Sequence, residues 1–381
     1  MKNTNKILKK ILLYVAAILV GGLIGLVLLA RFDASFGGIL FYVEIGVAMF
    51  LSLYVSIIIH EAGHLVFGLI SGYVFSSFRI GSIMLLRQNG KYRLCYHKLV
   101  GTGGQCLMAP PDKKNEDIPV VLYNLGGVIF NLIFAVIFAI LFLLIPYVYI
   151  LSLTFLISSI ICFMFMLTNG IPMHTGGIAN DGMNAKCLSK DKMAANAFLN
   201  QLRMNEAQTR GLSLNEMPDE WFAIPEGADK NNVAYSSLAV FNVNRNFEKK
   251  DTEKSAAEIE ELLCSNWQIL GVHKNLLLCD LIYCKLINDG EGANVSSLLT
   301  PELVQFMKAM KNFAGVMRTE YALDLIYRKD ESAAEKRLKL FEKRYKNSPT
   351  PKEAQIEREL MAKANDKYKS IINKSKSEAE I

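Results

Sequence analysis

Residues 56–67 read Ser56-Ile57-Ile58-Ile59-His60-Glu61-Ala62-Gly63-His64-Leu65-Val66-Phe67, a run in which three ionisable side chains interrupt an apolar stretch. Positions four apart share one face of a helix, so His60 and His64 turn the same way and Glu61 sits beside them. Two imidazole nitrogens on one face suit zinc, and the adjacent carboxylate suits a general base acting on water held there. The HExxH spacing also arises by chance. In an apolar helix, however, these three groups are costly to desolvate unless something coordinates them, which argues for a metal centre.

The same helix lies in an apolar stretch from Gly37 to Ile70 whose only other ionisable group, tyrosines aside, is Glu44, with no evident partner. Uncharged apolar runs recur at 11–30, 118–145 and 147–168. Each is long enough to cross a hydrocarbon layer of roughly 30 Å. The reading is a multi-pass α-helical membrane protein with four spans at about 11–30, 39–70, 118–145 and 147–168, the last two a hairpin broken at Pro146. A cleaved signal peptide fits 11–30 less well, because its apolar core is long and Leu28 stands where a small residue is needed.

Composition agrees. Of 381 residues 51% are hydrophobic and 20% charged, and the mean hydropathy is +0.24, which excludes a wholly soluble protein. Residues 1–190 carry 14 Lys and Arg against 7 Asp and Glu, and the remainder 28 against 29, giving +7 and −1. Basic residues cluster before the first run and in the 71–117 loop, so the positive-inside rule puts both termini in the cytoplasm of a plasma-membrane, bacterial-type protein. Nucleic acid is a poor partner for such a distribution. The seven cysteines form no CxxC pair, which excludes a disulfide scaffold, and Cys95 and Cys106 read as ordinary packing rather than a metal pair.

Within the basic loop, the β-branched and aromatic run 74–86, Asn89-Gly90 and the alternating 91–97 predict a β-hairpin over about 74–97, with a flexible glycine-rich approach to the third span. From 191 to 381 the texture becomes charged and amphipathic, predicting a cytoplasmic all-α domain whose helix pairs could stack as a tetratricopeptide-like array, fraying from Ser370. The domain division is therefore 1–190, membrane, and 191–381, soluble.

Catalytic zinc needs a third protein ligand and an open position. Asp181 is the choice, from Asn169-Gly170-Ile171-Pro172 through Asn180-Asp181-Gly182, where glycines let the chain fold back toward the second span. His174 is its rival, and an ordinary Asn-Asp-Gly turn the plain alternative.

These segments resemble the site-2 protease family of intramembrane zinc metalloproteases. The resemblance rests on His60-Glu61-Ala62-Gly63-His64, on Leu125-Gly126-Gly127-Val128-Ile129-Phe130-Asn131 and on Asn169-Gly170-Ile171-Pro172 followed by Asp181-Gly182, and covers about residues 40–185. It implies one Zn2+ per chain held by His60, His64 and Asp181, water activation by Glu61, and positioning of substrate or oxyanion by Asn169. The implied activity is hydrolysis of a peptide bond in or near a transmembrane segment of a membrane-anchored regulator or a signal or leader peptide, in regulated proteolysis or peptide maturation.

The chain departs from the family's common form in the eight residues Met173 to Asn180 before the Asp-Gly, and in Gly127 where proline is frequent, which points to close helix packing. No segment resembles a PDZ domain or a CBS pair, so the helical tail is the candidate regulator and the candidate contact for a cytoplasmic partner. The competing class is a non-proteolytic zinc-containing scaffold whose tail recruits such a partner. Glu61 argues against it, since a structural site needs no general base. Metal transport would require polar groups spread along several spans, and the last two hold Asn124, Asn131 and scattered Ser and Thr but no charge.

Overall fold

A computed structural model describes residues 39–379 apart from 89, 98–101, 114, 146–148, 176–177 and 347, so the expected span at 11–30 lies outside the described residues. The described chain is mostly helical and contains three helices long and apolar enough to cross a membrane: α1 (Ile39–Ile70), α2 (Val120–Leu144) and α3 (Tyr149–Gly170). Large apolar side chains such as Phe50, Val136 and Leu143 point outward, as expected where lipid is the solvent. Small and polar residues fasten the interior instead. Ser158 bonds Ser52 between hydroxyls at 2.8 Å, and the Ser159 hydroxyl donates to the Ala135 carbonyl at 2.7 Å. Gly63 and Gly126 bring α1 and α2 together so closely that a Cβ on either would lie within 2.5 Å of the other's carbonyl oxygen.

The loop after α1 is a four-stranded antiparallel sheet: β1 (Val74–Ile80), β2 (Ile83–Gln88), β3 (Lys91–Tyr96) and β4 (Gly104–Ala109), in the order β3-β2-β1-β4. Here the structure is richer than the expected hairpin. Gly81, at φ 60°, reverses the chain inside the run taken as one strand, so Ile80 pairs with Ile83. Gln88 pairs with Lys91 and Gly90 has φ 78°, so β2 and β3 are joined by a tight connection; Asn89 lies outside the described residues. The glycine-rich approach is likewise not a loose connection, because its end supplies β4, paired with β1 from Ile80↔Gly104 to Val74↔Ala109. The fully buried Arg79 ties this corner by donating to the Gly81 carbonyl at 2.6 Å and to the Thr102 hydroxyl at 2.5 Å.

After α3 a two-stranded ribbon, β5 (His174–Thr175) and β6 (Ile178–Ala179), leads, among the described residues, into nine α-helices: α4 (Asp181–Lys190), α5 (Lys192–Arg210), α6 (Val233–Phe247), α7 (Thr252–Cys264), α8 (Gly271–Asp289), α9 (Pro301–Ala309), α10 (Ala314–Ala322), α11 (Glu331–Tyr345) and α12 (Pro351–Ala379). Side-chain N-caps start several of them, among them Asp191, Asn232, Asp251, Thr300 and Asp330, each accepting a backbone N–H of the first turn. The stretch from Ser370, expected to fray, continues α12 to Ala379. That helix packs on α10 and α8 and reaches back to α5. Such reach differs from the neighbour-only contacts of a repeat array, so the packing gives no support to the tetratricopeptide-like expectation.

The hydrophobic interior is continuous across residue 190. Tyr73, Met108 and Tyr123 share one buried cluster with Leu188, Leu199, Leu202 and Leu238, which sets the first tail helices directly against the sheet and the start of α2. A second cluster, around Cys279, Tyr283, Met317, Phe341 and Leu360, forms the core of the distal tail.

Candidate metal centre

On α1, His60 and His64 present their imidazoles one turn apart with ring centroids 4.9 Å from each other, while Glu61 is only 9% exposed. The third group arrives from α4. Asp181 is the first residue of that helix, and its Oδ2 lies 3.1 Å from His60 Nε2 and 3.5 Å from His64 Nε2; the two Nε2 atoms are 3.3 Å apart. Among the described residues, His60, His64 and Asp181 are the group of side chains that could hold a metal ion.

The eight residues by which this chain departs from the usual spacing have a structural account. They fold out as the β5–β6 ribbon and return, with the Asn180 N–H donating to the Met173 carbonyl at 3.1 Å. Asn180 then fixes the end point: its Oδ1 accepts the backbone N–H groups of Met173 at 3.1 Å and Met183 at 2.9 Å, and its Nδ2 donates to the Thr168 and Ile171 carbonyls at 2.7 Å each. Asp181 therefore starts its helix against the end of α3. Gly182 completes the contact, since a Cβ there would stand 2.1 Å from the Gly170 carbonyl oxygen. His174 is exposed on the ribbon and outside the group. Asn169, in the last turn of α3, donates its Nδ2 to the Phe165 carbonyl at 3.0 Å, a bond within its own helix.

Two further elements close around the histidines. From α2, Gly127 lies flat against them, where a Cβ would come 2.6 Å from His60 Cε1 and 2.7 Å from His64 Nε2. From the sheet, Gly104 lies against Glu61, where a Cβ would come 2.6 Å from its Cγ. The packing expected of the glycines of α2 thus falls on the histidines, while Asn180, expected only as part of a turn, and Gly104, expected only in a flexible approach, carry site roles that the sequence does not assign them. A Ser/Thr/Asn/Asp immediately before a helix start is the signal that could have found Asn180.

The residues fit a metal ion on their donor chemistry. His60 Nδ1 faces Asn131 Oδ1 at 2.7 Å and His64 Nδ1 faces the Tyr123 carbonyl at 2.9 Å. Both contacts call for a proton on Nδ1, which leaves each neutral ring with a lone pair on Nε2. Asp181 Oδ2 is buried and accepts no hydrogen bond of good geometry, despite its proximity to both rings. Three electron-pair donors thus converge on one space, an arrangement that repels itself until a cation enters.

The sequence profile described as peptidase family M50 matches residues 48–340, from the first third of α1 to well into α11. The chain belongs to peptidase family M50. This is the site-2 protease family, whose members are membrane zinc metalloproteases, so a metalloprotease of the membrane is what the family assigns to this chain. Searches of curated proteins and of solved structures gave no match. The M50 match extends over much of the helical tail as well as the spans.

Cys95 and Cys106, the only thiols near the basic loop, sit on β3 and β4, at opposite edges of the sheet, where they cannot share a metal. Burial pushes both thiols up, away from thiolate chemistry.

Proposed function

We propose that the chain is an intramembrane zinc endopeptidase in which His60, His64 and Asp181 hold one Zn2+, Glu61 is the general base, and the substrate is a peptide bond in or near a transmembrane segment. The observation that carries this reading is the convergence of His60 Nε2, His64 Nε2 and the orphaned Asp181 Oδ2 within 3.1 to 3.5 Å of one another. Three protein ligands leave a tetrahedral ion one open position, the arrangement of catalytic rather than structural zinc.

When bound, zinc supplies Lewis-acid polarisation of the scissile carbonyl and makes water acidic enough to be deprotonated near neutral pH. Glu61 takes the proton from the attacking water and returns it to the departing amine. Its carboxylate is buried beside both histidines, so it acts in a setting with little competing solvent. Asn169, at the end of α3, is the residue proposed to steady the substrate or the oxyanion, released from its intrahelical bond when substrate is present.

A substrate helix hydrogen-bonds its own carbonyls and must open locally before attack. β4 is the sheet edge that lies against Glu61, and an extended substrate segment pairing there would be delivered to the base. The edge beside Glu61 is β4, and the opposite edge of the sheet is β3.

We further propose a fourth span at 11–30, both termini in the cytoplasm of a bacterial plasma membrane, and a division into a membrane domain, 1–190, and a cytoplasmic helical domain, 191–381, that selects substrate or recruits a partner. The charge distribution and the apolar run support this placement. Metal analysis of the purified full chain tests the site. One zinc per wild-type chain, with large losses in His60→Ala and Asp181→Ala, is expected; zinc retained in both variants would remove the reading.

A further inference from the structure

Asn131 lies in the middle of α2, fully buried, 71 residues from His60 in sequence. Its amide is oriented by its own contacts: Nδ2 donates to the Ser56 carbonyl at 3.2 Å, so the atom turned toward His60 Nδ1, 2.7 Å away, is the acceptor Oδ1. Ser56 is one turn before His60 on α1, so a single side chain grips both that turn and the imidazole that follows it. A bundle interior tolerates such a polar group where its hydrogen bonds are met, and here donor and acceptor are both engaged.

The surroundings hold this amide in place. The Ser56 hydroxyl bonds the Ser52 carbonyl at 2.7 Å and lies 3.3 Å from Cys162 Sγ, and the Ser52 hydroxyl meets Ser158 at 2.8 Å. These groups form a polar thread through α1 and α3 that ends at Asn131 and His60. Nothing on this thread carries charge. Its chemistry is orientation.

We infer that Asn131 is a positioning residue: by accepting the His60 Nδ1–H it fixes the ring's tautomer and angle, so that Nε2 faces the space shared with His64 and Asp181. The inference rests on His60 being a metal ligand, as proposed above. His64 obtains the same service from the Tyr123 backbone carbonyl, which no side-chain substitution can remove, whereas the His60 partner is a side chain and can be tested. Outer partners of this kind commonly change metal affinity by about 10- to 100-fold.

The test uses full-length protein in detergent, wild type against Asn131→Ala and Asn131→Asp, with His60→Ala as the reference for a lost ligand and zinc ion alone as the probe. Zinc affinity is read by competition with a chromophoric chelator. Asn131→Ala is expected to lose about 10- to 100-fold in affinity, less than His60→Ala, and Asn131→Asp to hold zinc like wild type, because a carboxylate also accepts the Nδ1–H. A residue that merely fastens α2 to α1 would not be rescued by a buried acid. If the aspartate variant does not yield folded protein, the 15N-histidine spectrum of zinc-loaded wild type decides: His60 protonated at Nδ1 supports the inference, and metal on Nδ1 overturns it. Wild-type affinity in Asn131→Ala overturns the inference alone. A wild type that takes up no zinc overturns the metal-site reading, and the inference with it.

Discussion

Gly127 of α2 faces the His60 ring so closely that the first carbon of any side chain would stand 2.6 Å from Cε1 and 2.7 Å from Nδ1. The absence of a side chain at one position thus sets the position of a ring on another helix. Gly127→Ala should displace the imidazole while leaving the membrane helices formed, since a contact below 3.0 Å forces a shift. Zinc affinity is expected to fall by at least an order of magnitude with extraction and helicity unchanged. Metal analysis and circular dichroism on the same sample check both halves.

Gly104 makes the same kind of contact with Glu61, 2.6 Å from Cγ and 2.7 Å from Oε1. It touches the base and neither histidine among its nearest neighbours, so its consequence differs. Gly104→Ala should retain zinc and lose turnover, by about 100-fold if Glu61 is moved by an ångström. Zinc content and cleavage of a membrane-segment substrate, measured in parallel, separate this outcome from that of Gly127→Ala.

How much of this was legible in the sequence depended on whether a residue acts through spacing or through distant contact. His60, Glu61 and His64 declare themselves by helical period in an apolar run, and Asp181 stands in a glycine-rich return. The choice of Asp181 over His174 leaned on the family resemblance, because no local pattern says which residue of that return meets the histidines. Gly104, Gly127 and the His60 partner Asn131 act across 43 to 71 residues of chain, through packing that local pattern does not encode, whereas Asn180 acts on residues 3 to 12 positions away, as a local cap. The sheet was half legible for a local reason: Gly81-Ser82 sits inside a β-branched run, and only the positive φ of Gly81 reveals a turn there. The tail's helices were readable from periodicity and breaks, but their stacking was not, because the reach of α12 back to α5 depends on tertiary contacts.

In the tail, Arg318 is fully buried, pairs with Asp280 and, at 2.9 Å, with Glu357, and lies over the rings of Phe247 and Tyr283 at 4.8 and 4.5 Å. Arg318→Ala leaves two carboxylates without their cation and removes the stacking. A loss of about 3–5 kcal/mol is expected. Thermal or denaturant unfolding of the full chain checks it; a change below about 1 kcal/mol would contradict the role given to this cluster.

Glu248 lines a cavity of about 210 Å³ between α6, α8 and α12. Burial pushes its carboxyl up to about 7, only partly offset by backbone N–H groups of Leu214 and Asn215. A folded-state value above the unfolded one means the native chain binds the extra proton. Its contribution to stability is therefore complete below about pH 4.5 and is lost as pH rises through about 7, by an upper bound of about 3 kcal/mol. Asp280, raised to about 6 chiefly by burial, adds in the same direction. Unfolding midpoints from pH 5 to 8 should fall in the wild type and fall less in Glu248→Gln.

If Glu61 is the general base of peptide hydrolysis, as proposed, its loss stops cleavage while leaving the metal ligands in place. The direct measurement compares the termini of membrane proteins in cells carrying the wild type and Glu61→Gln, a change that keeps both histidines and nearly the same volume. One or more membrane segments accumulating uncleaved only in the variant is the predicted result, and it names the substrate in the same experiment. Identical termini, with the variant still supporting whatever deletion of the protein disrupts, would contradict catalysis and leave the zinc-containing scaffold as the better account.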